Sequence, residues 1–144
     1  MNRITFILLL MFVCLAARCQ PPVTKVEFTT LTRGYQKQIF ITADSVIAIT
    51  DGRQDDNQVS KRRTDPAEWQ LLMDALRGVD PQEISGLQSP TSRRAFDGAR
   101  HSTIKLIVHD GKEYQHGFDD EFPHDKLKPL MDAIVKTEKN FERK

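Results

Sequence analysis

The stretch His101–Phe122, HSTIKLIVHDGKEYQHGFDDEF, holds two alternating apolar runs on either side of Asp110-Gly111, the pattern of a β-hairpin. Ile104, Leu106 and Val108 share one face of the first run, and Tyr114, His116 and Phe118 share one face of the second. A two-residue loop pairs Ile107 with Tyr114 and sends the two rows to opposite faces. A three-residue loop, His109-Asp110-Gly111, pairs Leu106 with Tyr114 and Ile104 with His116 and brings the rows together. It places Gly111 in the left-handed conformation of a bulged turn, which a residue without Cβ adopts freely. The spacing therefore predicts a hairpin with one face in a core, and any fold for this chain must cover that face.

Upstream, Gln20-Pro21-Pro22 reads as an extended lead-in. Lys25–Thr32, alternating around Val26 and Phe28, reads as a strand, and Arg33-Gly34 as a turn. Tyr35–Thr42 and Val46–Thr50 follow as strands. A three-residue loop Ala43-Asp44-Ser45 pairs Ile41 with Ile47 and Ile39 with Ile49, leaving Phe40, Val46 and Ala48 on the other face. That second face is more apolar than a solvated face needs. Asp51–Arg63, DGRQDDNQVSKRR, is polar and charged and is expected to be an exposed loop, with Lys61-Arg62-Arg63 as solvated charges.

Helix signals follow. Asp65 is placed as N-cap, Pro66 at the first helical position, and Glu68 at capping-box spacing. Trp69, Leu72, Met73 and Leu76 recur at i, i+3, i+4, i+7, the stripe of a core-facing helix rather than a cofactor box, and Gly78 is the stop. Asp80-Pro81 starts a short helical turn through Ile84. A long irregular segment, Val79–Arg100, leads to the hairpin; such loops are often functional or mobile, and here Leu87 and Phe96 are expected to pin it over the semi-apolar sheet face. After the hairpin, Asp125 is expected to cap a second helix with the stripe Leu127, Leu130, Met131, Ile134 and Val135, Pro129 in its first turn, and fraying beyond Thr137. The order predicts an α+β domain: an antiparallel sheet of about five strands with two helices on one face.

Residues 1–19 read differently. Arg3 precedes the almost wholly apolar Ile4–Ala17, and Ala17-Arg18-Cys19 carries small residues where a signal peptidase reads. The expectation is a signal peptide cleaved after Cys19, a single domain over residues 20–144, and a periplasmic or extracellular location. The alternative is a lipoprotein anchored through Cys19, against which Arg18 counts. Both cysteines, Cys14 and Cys19, fall in this leader, so the mature chain has no disulfide and relies on its core. Removing Arg3 and Arg18 lowers Lys+Arg from 21 to 19 against 20 Asp+Glu, a balance of −1 that favours neither a nucleic-acid nor an anionic-membrane partner.

Reactive chemistry is thinly represented. His101, His109, His116 and His124 cluster in sequence with Asp119, Asp120 and Glu121, donor types that bind zinc or another divalent ion. A metal-dependent hydrolase or metal-binding protein using the His116–His124 group is thus one reading. Against it, no pair has helical ligand spacing, and His116 points to the core face, where a hydrogen-bonded structural histidine is the commoner case. The acidic run is equally a helix-start charge bias. No Gly-x-Ser-x-Gly elbow is present, and Asp51-Gly52-Arg53 and Asp97–Arg100 lack phosphate-loop spacing. No cofactor is assigned. Arg93, Arg94, Phe96 and Arg100, with Tyr35, supply the guanidinium and aromatic groups that dominate interface energies, and they form the expected partner-binding set.

The succession of an N-terminal sheet, a Pro-x-Glu-capped helix (Asp65–Leu76), a hydrophobic strand (Ser102–Val108), Asp110-Gly111, Asp120-Glu121 and a Leu-x-Pro-Leu helix (Leu127–Leu130) resembles emfourin-type proteins, inhibitors of thermolysin-like metallopeptidases. It also resembles uncharacterised secreted proteins of Bacteroidetes. The secretion signal and the Arg-rich segment Ser89–Arg100 depart from the inhibitor pattern. The leader, the missing reactive constellation, the apolar second face and the loop holding Arg93, Arg94, Phe96 and Arg100 together point to a small exported binding module acting by surface contact, not catalysis. The resemblance points the same way and implies a peptidase as partner; it assigns no residue.

Overall fold

The structure, a computed structural model, describes residues 22–52, 57–96 and 98–141. The expected leader, with Cys14 and Cys19, lies outside them. Six antiparallel strands form one sheet: β1 (Val23–Thr32), β2 (Tyr35–Thr42), β3 (Ser45–Gly52), β4 (Gln58–Arg63), β5 (His101–Val108) and β6 (Glu113–Asp119). Their order is β4-β3-β2-β1-β5-β6, so β1 lies inside, bonded to β2 on one side and β5 on the other. Two helices, α1 (Pro66–Ala75) and α2 (Lys128–Lys139), cover one face. The fold is α+β.

The β5–β6 hairpin has the expected register, with Ile104 opposite His116 and Leu106 opposite Tyr114. Val108 N–H donates to Lys112 O and Gly111 N–H to Val108 O, and Gly111 sits at φ 80°. Its apolar rows join Val26 and Phe28 of β1 and Ile39 and Ile41 of β2 on one face. Leu72 and Leu76 of α1, and Leu130, Met131 and Ile134 of α2, pack onto it. Fully burying side chains of this size contributes about 1.5–3 kcal/mol each.

The β2–β3 hairpin is shifted by one residue from expectation. Its loop is the two residues Ala43-Asp44, so Ile41 faces Val46 and Ile39 faces Ala48. Val46 therefore joins the core, and Ile47 and Ile49 turn out with Phe40. Thr42 fixes this turn: its Oγ1 accepts the N–H groups of Asp44 and Ser45 at 3.3 and 3.0 Å. A one-residue slip moves every side chain to the other face.

The other departures concern polar segments. Gln58–Arg63 is the sixth strand, not part of a loop. Arg62 is not a solvated charge: on the helix side it holds Glu68 with two bonds of 2.7 and 2.9 Å, donates to the Thr137 carbonyl at 3.0 Å and lies over the Phe141 ring. Burial works to raise the Glu68 pKa, but hydrogen bonds from Arg62, Asn140 and the Asp65 N–H win and hold it low. The α2 end is consequently tied down rather than frayed, by Asn140 to Glu68, Lys37 to Glu138 and the packing of Phe141. The predicted α1 capping box is present. Asp125 does not cap α2: the N-cap there is Leu127, with no side-chain bond. Asp125 opens the preceding 3-10 turn Asp125–Leu127, which His124 caps by accepting the Lys126 N–H on Nδ1 at 3.3 Å. Val135 is half-buried, and Ala133 and Thr137 are buried instead.

Candidate partner-binding surface

The long segment before β5 is fastened through one buried carboxylate. Asp119, at the end of β6, accepts from the Thr91 hydroxyl, from Arg93 N–H at 2.7 Å and from Arg94 Nη1 at 2.6 Å. Its burial tends to raise its pKa, but the Thr91, Arg94 and Arg93 bonds outweigh this and keep it low. Next to it Asp120 adopts φ 52°, a left-handed conformation that Asp tolerates better than most residues. Its carboxylate takes Arg100 N–H at 3.1 Å and Arg100 Nε at 3.4 Å, and its carbonyl takes the Ser102 hydroxyl. Neither expected pin lies on the second sheet face: Leu87 packs instead against the helix-side core, and Phe96 is 89 % exposed. Ion pairs and hydrogen bonds to Asp119 and Asp120 pin the loop, which frees the ring to face water.

This clamp sets one wall of an open groove of about 690 Å³ lined by Leu31, Arg33, Arg94, Phe96, Gly98 and His101, among others. The floor is where β1 and β5 meet, Leu31 opposite His101. A second, smaller groove, of about 400 Å³, runs from the same Leu31 and Thr32 across Gly34 to Tyr35 and Gly52. Gly34, at φ 75°, makes the tight β1–β2 turn that lifts Arg33 between them. The result is a surface with three apolar or aromatic groups, Leu31, Tyr35 and Phe96, and a cation, Arg33, that makes no ion pair among the described residues.

Of the five expected partner-binding residues, Arg94 and Phe96 line the first groove and Tyr35 the second. Arg93 and Arg100 border it, with Asp120 3.9 Å from Arg93 and Asp120 and Glu121 near Arg100. Leu31, Arg33 and His101 were missing from that set. Leu31 had a signal: with Val26 and Phe28 inward, an apolar side chain at 31 must point away from the core.

The histidines are dispersed. His101 is in the groove, and His109 is exposed in the hairpin loop. His116 is 2 % exposed, stacked on Phe118 at 5.5 Å, and its Nε2 accepts His124 N–H at 3.2 Å. Burial lowers its pKa, partly opposed by a hydrogen bond to the Leu87 backbone. Its accepting nitrogen is therefore occupied within the protein. Among the described residues no three His, Cys, Asp or Glu side chains are gathered as a metal site requires. No known family model matches the chain, and no curated protein matches it.

Proposed function

We propose that this chain is a small exported binding module that acts by surface contact, docking a partner protein on the Leu31–Tyr35–Phe96 surface. One observation carries the reading. A phenylalanine 89 % exposed stands on a loop fastened by a buried carboxylate. Exposing that ring to water is unfavourable for the isolated protein, and holding it in place lowers the entropy cost of seating it in a partner's pocket. Arg33 beside it suits an acidic rim. The resemblance to metallopeptidase inhibitors makes a thermolysin-like peptidase the partner to assay first.

The test compares wild type with a Phe96→Ala, Arg33→Ala variant, both changes at exposed positions that should leave the melting temperature unchanged. Capture of a partner from the native envelope fraction, or inhibition of the peptidase, should fall by about thirtyfold or more, as loss of a central aromatic anchor does. Equal capture and equal inhibition by the two proteins would overturn the reading.

Export rests on the sequence of residues 1–19. Among the described residues no helix is long and apolar enough to cross a membrane. Intact mass of the protein from the periplasm or medium should correspond to a chain beginning at Gln20; a mass that retains Cys19 with acyl chains would mean an anchored lipoprotein.

A further inference from the structure

The two edges of the sheet are finished differently. Against β6 lies the 3-10 turn Pro81–Gly86, and Gln115 N–H donates to Ser85 Oγ at 3.3 Å. At β4, Gln58, Val59, Ser60 and Lys61 are all exposed. Thr64 N–H donates to the Asp44 carbonyl at 3.2 Å, just past the last β3–β4 pair, Ser45 with Arg63. Bonded and non-bonded pairs alternate along an antiparallel ladder. That phase gives Ser60 and Arg62 the bonds to β3 and leaves the N–H and C=O groups of Val59 and Lys61 at the free edge. Arg63 shares this phase, and its carbonyl accepts Arg62 Nη1 at 3.0 Å.

The side chains of Val59 and Lys61 stand on the face away from the helices. Val59, 71 % exposed, is opposite Ile49, and Lys61 is opposite Ile47, itself opposite Phe40. An apolar strip thus runs inward from the edge. Lys61 makes no ion pair among the described residues. Charge decides what fits. The strand QVSKRR has three basic residues and no acid, so pairing with the same strand of a second copy sets like charges against each other.

We propose that the free edge of β4 is a strand-addition site for an extended segment of another protein, one that sets an acidic side chain against Lys61 and an apolar one against Val59. Backbone bonds at Val59 and Lys61 would hold the added strand, and the apolar strip and Lys61 would select it. This site is separate from the Leu31 surface and does not depend on it.

The probe is a short capped peptide in which threonine alternates with valine and glutamate, titrated into the full folded protein labelled with nitrogen-15. The expected result is a shift of the Val59 and Lys61 amide signals. Affinity should drop about tenfold with Lys61→Glu or with a peptide carrying lysine for glutamate. A peptide N-methylated at its bonding positions should not bind. If Lys61→Glu fails to fold, the two altered peptides on wild-type protein decide alone. An unmoved β4, or equal binding of the lysine or N-methylated peptide, overturns the proposal.

Discussion

His116 shows what a single buried side chain contributes here. It carries no charge where it sits: burial depresses its pKa below the ordinary 6.5, and its ring ties β6 to the backbone of His124 and Leu87. The Arg94 guanidinium acts in the same direction. Because the unfolded chain takes up the proton first, the stability that the neutral ring contributes is complete above about pH 6.5 and declines as pH falls below it. The depressed carboxylates Asp119 and Glu68 lose theirs only further down, below their ordinary 3.8 and 4.5. Chemical denaturation from pH 8 to pH 5 should therefore show a decline that vanishes in His116→Phe. That variant should also be about 1–3 kcal/mol less stable at pH 8, since it leaves two backbone groups unpaired. A wild-type profile flat over this range would contradict the assignment. The sequence placed His116 on the core face; it could not disclose that its lone pair is spent on a residue eight positions away.

Among the elements, those with strict apolar alternation were readable and those without it were not. Ile104, Leu106 and Val108 admit one inward face, so the β5–β6 register followed from the spacing. Val46 to Ile49 is apolar at every position, so two registers each yield an apolar row, and the Thr42 hydroxyl chose between them. β4 has Val59 as its sole apolar residue, because an edge strand buries little, and it looked like loop. The same strand supplies Arg62, which joins the sheet to α1 through Glu68 and to α2 through the Thr137 carbonyl. Both partners of the Arg62–Glu68 pair are largely buried, at 14 % and 12 % side-chain exposure. Arg62→Ala should then cost about 3 kcal/mol in denaturant unfolding and loosen amide exchange at the α2 end. An unchanged midpoint would show the junction to be ornamental. The proposed partner surface was half legible for a related reason: Phe96, Arg94 and Tyr35 were visible as residue types, whereas the β1–β5 pairing was needed to bring Leu31 beside His101.

At the level of the whole molecule, one face of one sheet supplies the core, with no disulfide among the described residues to reinforce it. Leu106 lies at its centre, fully buried between β1 and β6. Leu106→Asp should abolish the cooperative melting transition, since an unpaired charge there costs several kcal/mol, a large share of the stability of a domain this size. A wild-type melting temperature would remove β5 from the core. The sheet order has a further consequence, for time rather than energy. β1 to β4 follow one another closely in sequence and pair with sequence neighbours, but β1 meets β5 only across the whole α1 region, Val26 against Leu106. Such distant pairing makes for slow folding. Synthesis completes the first four strands long before β5 emerges, and throughout that interval the β1 flank, with Val26 and Phe28 beside it, is an unsealed seam. The nascent chain is most open to misassociation there, at the strand that later becomes its best protected.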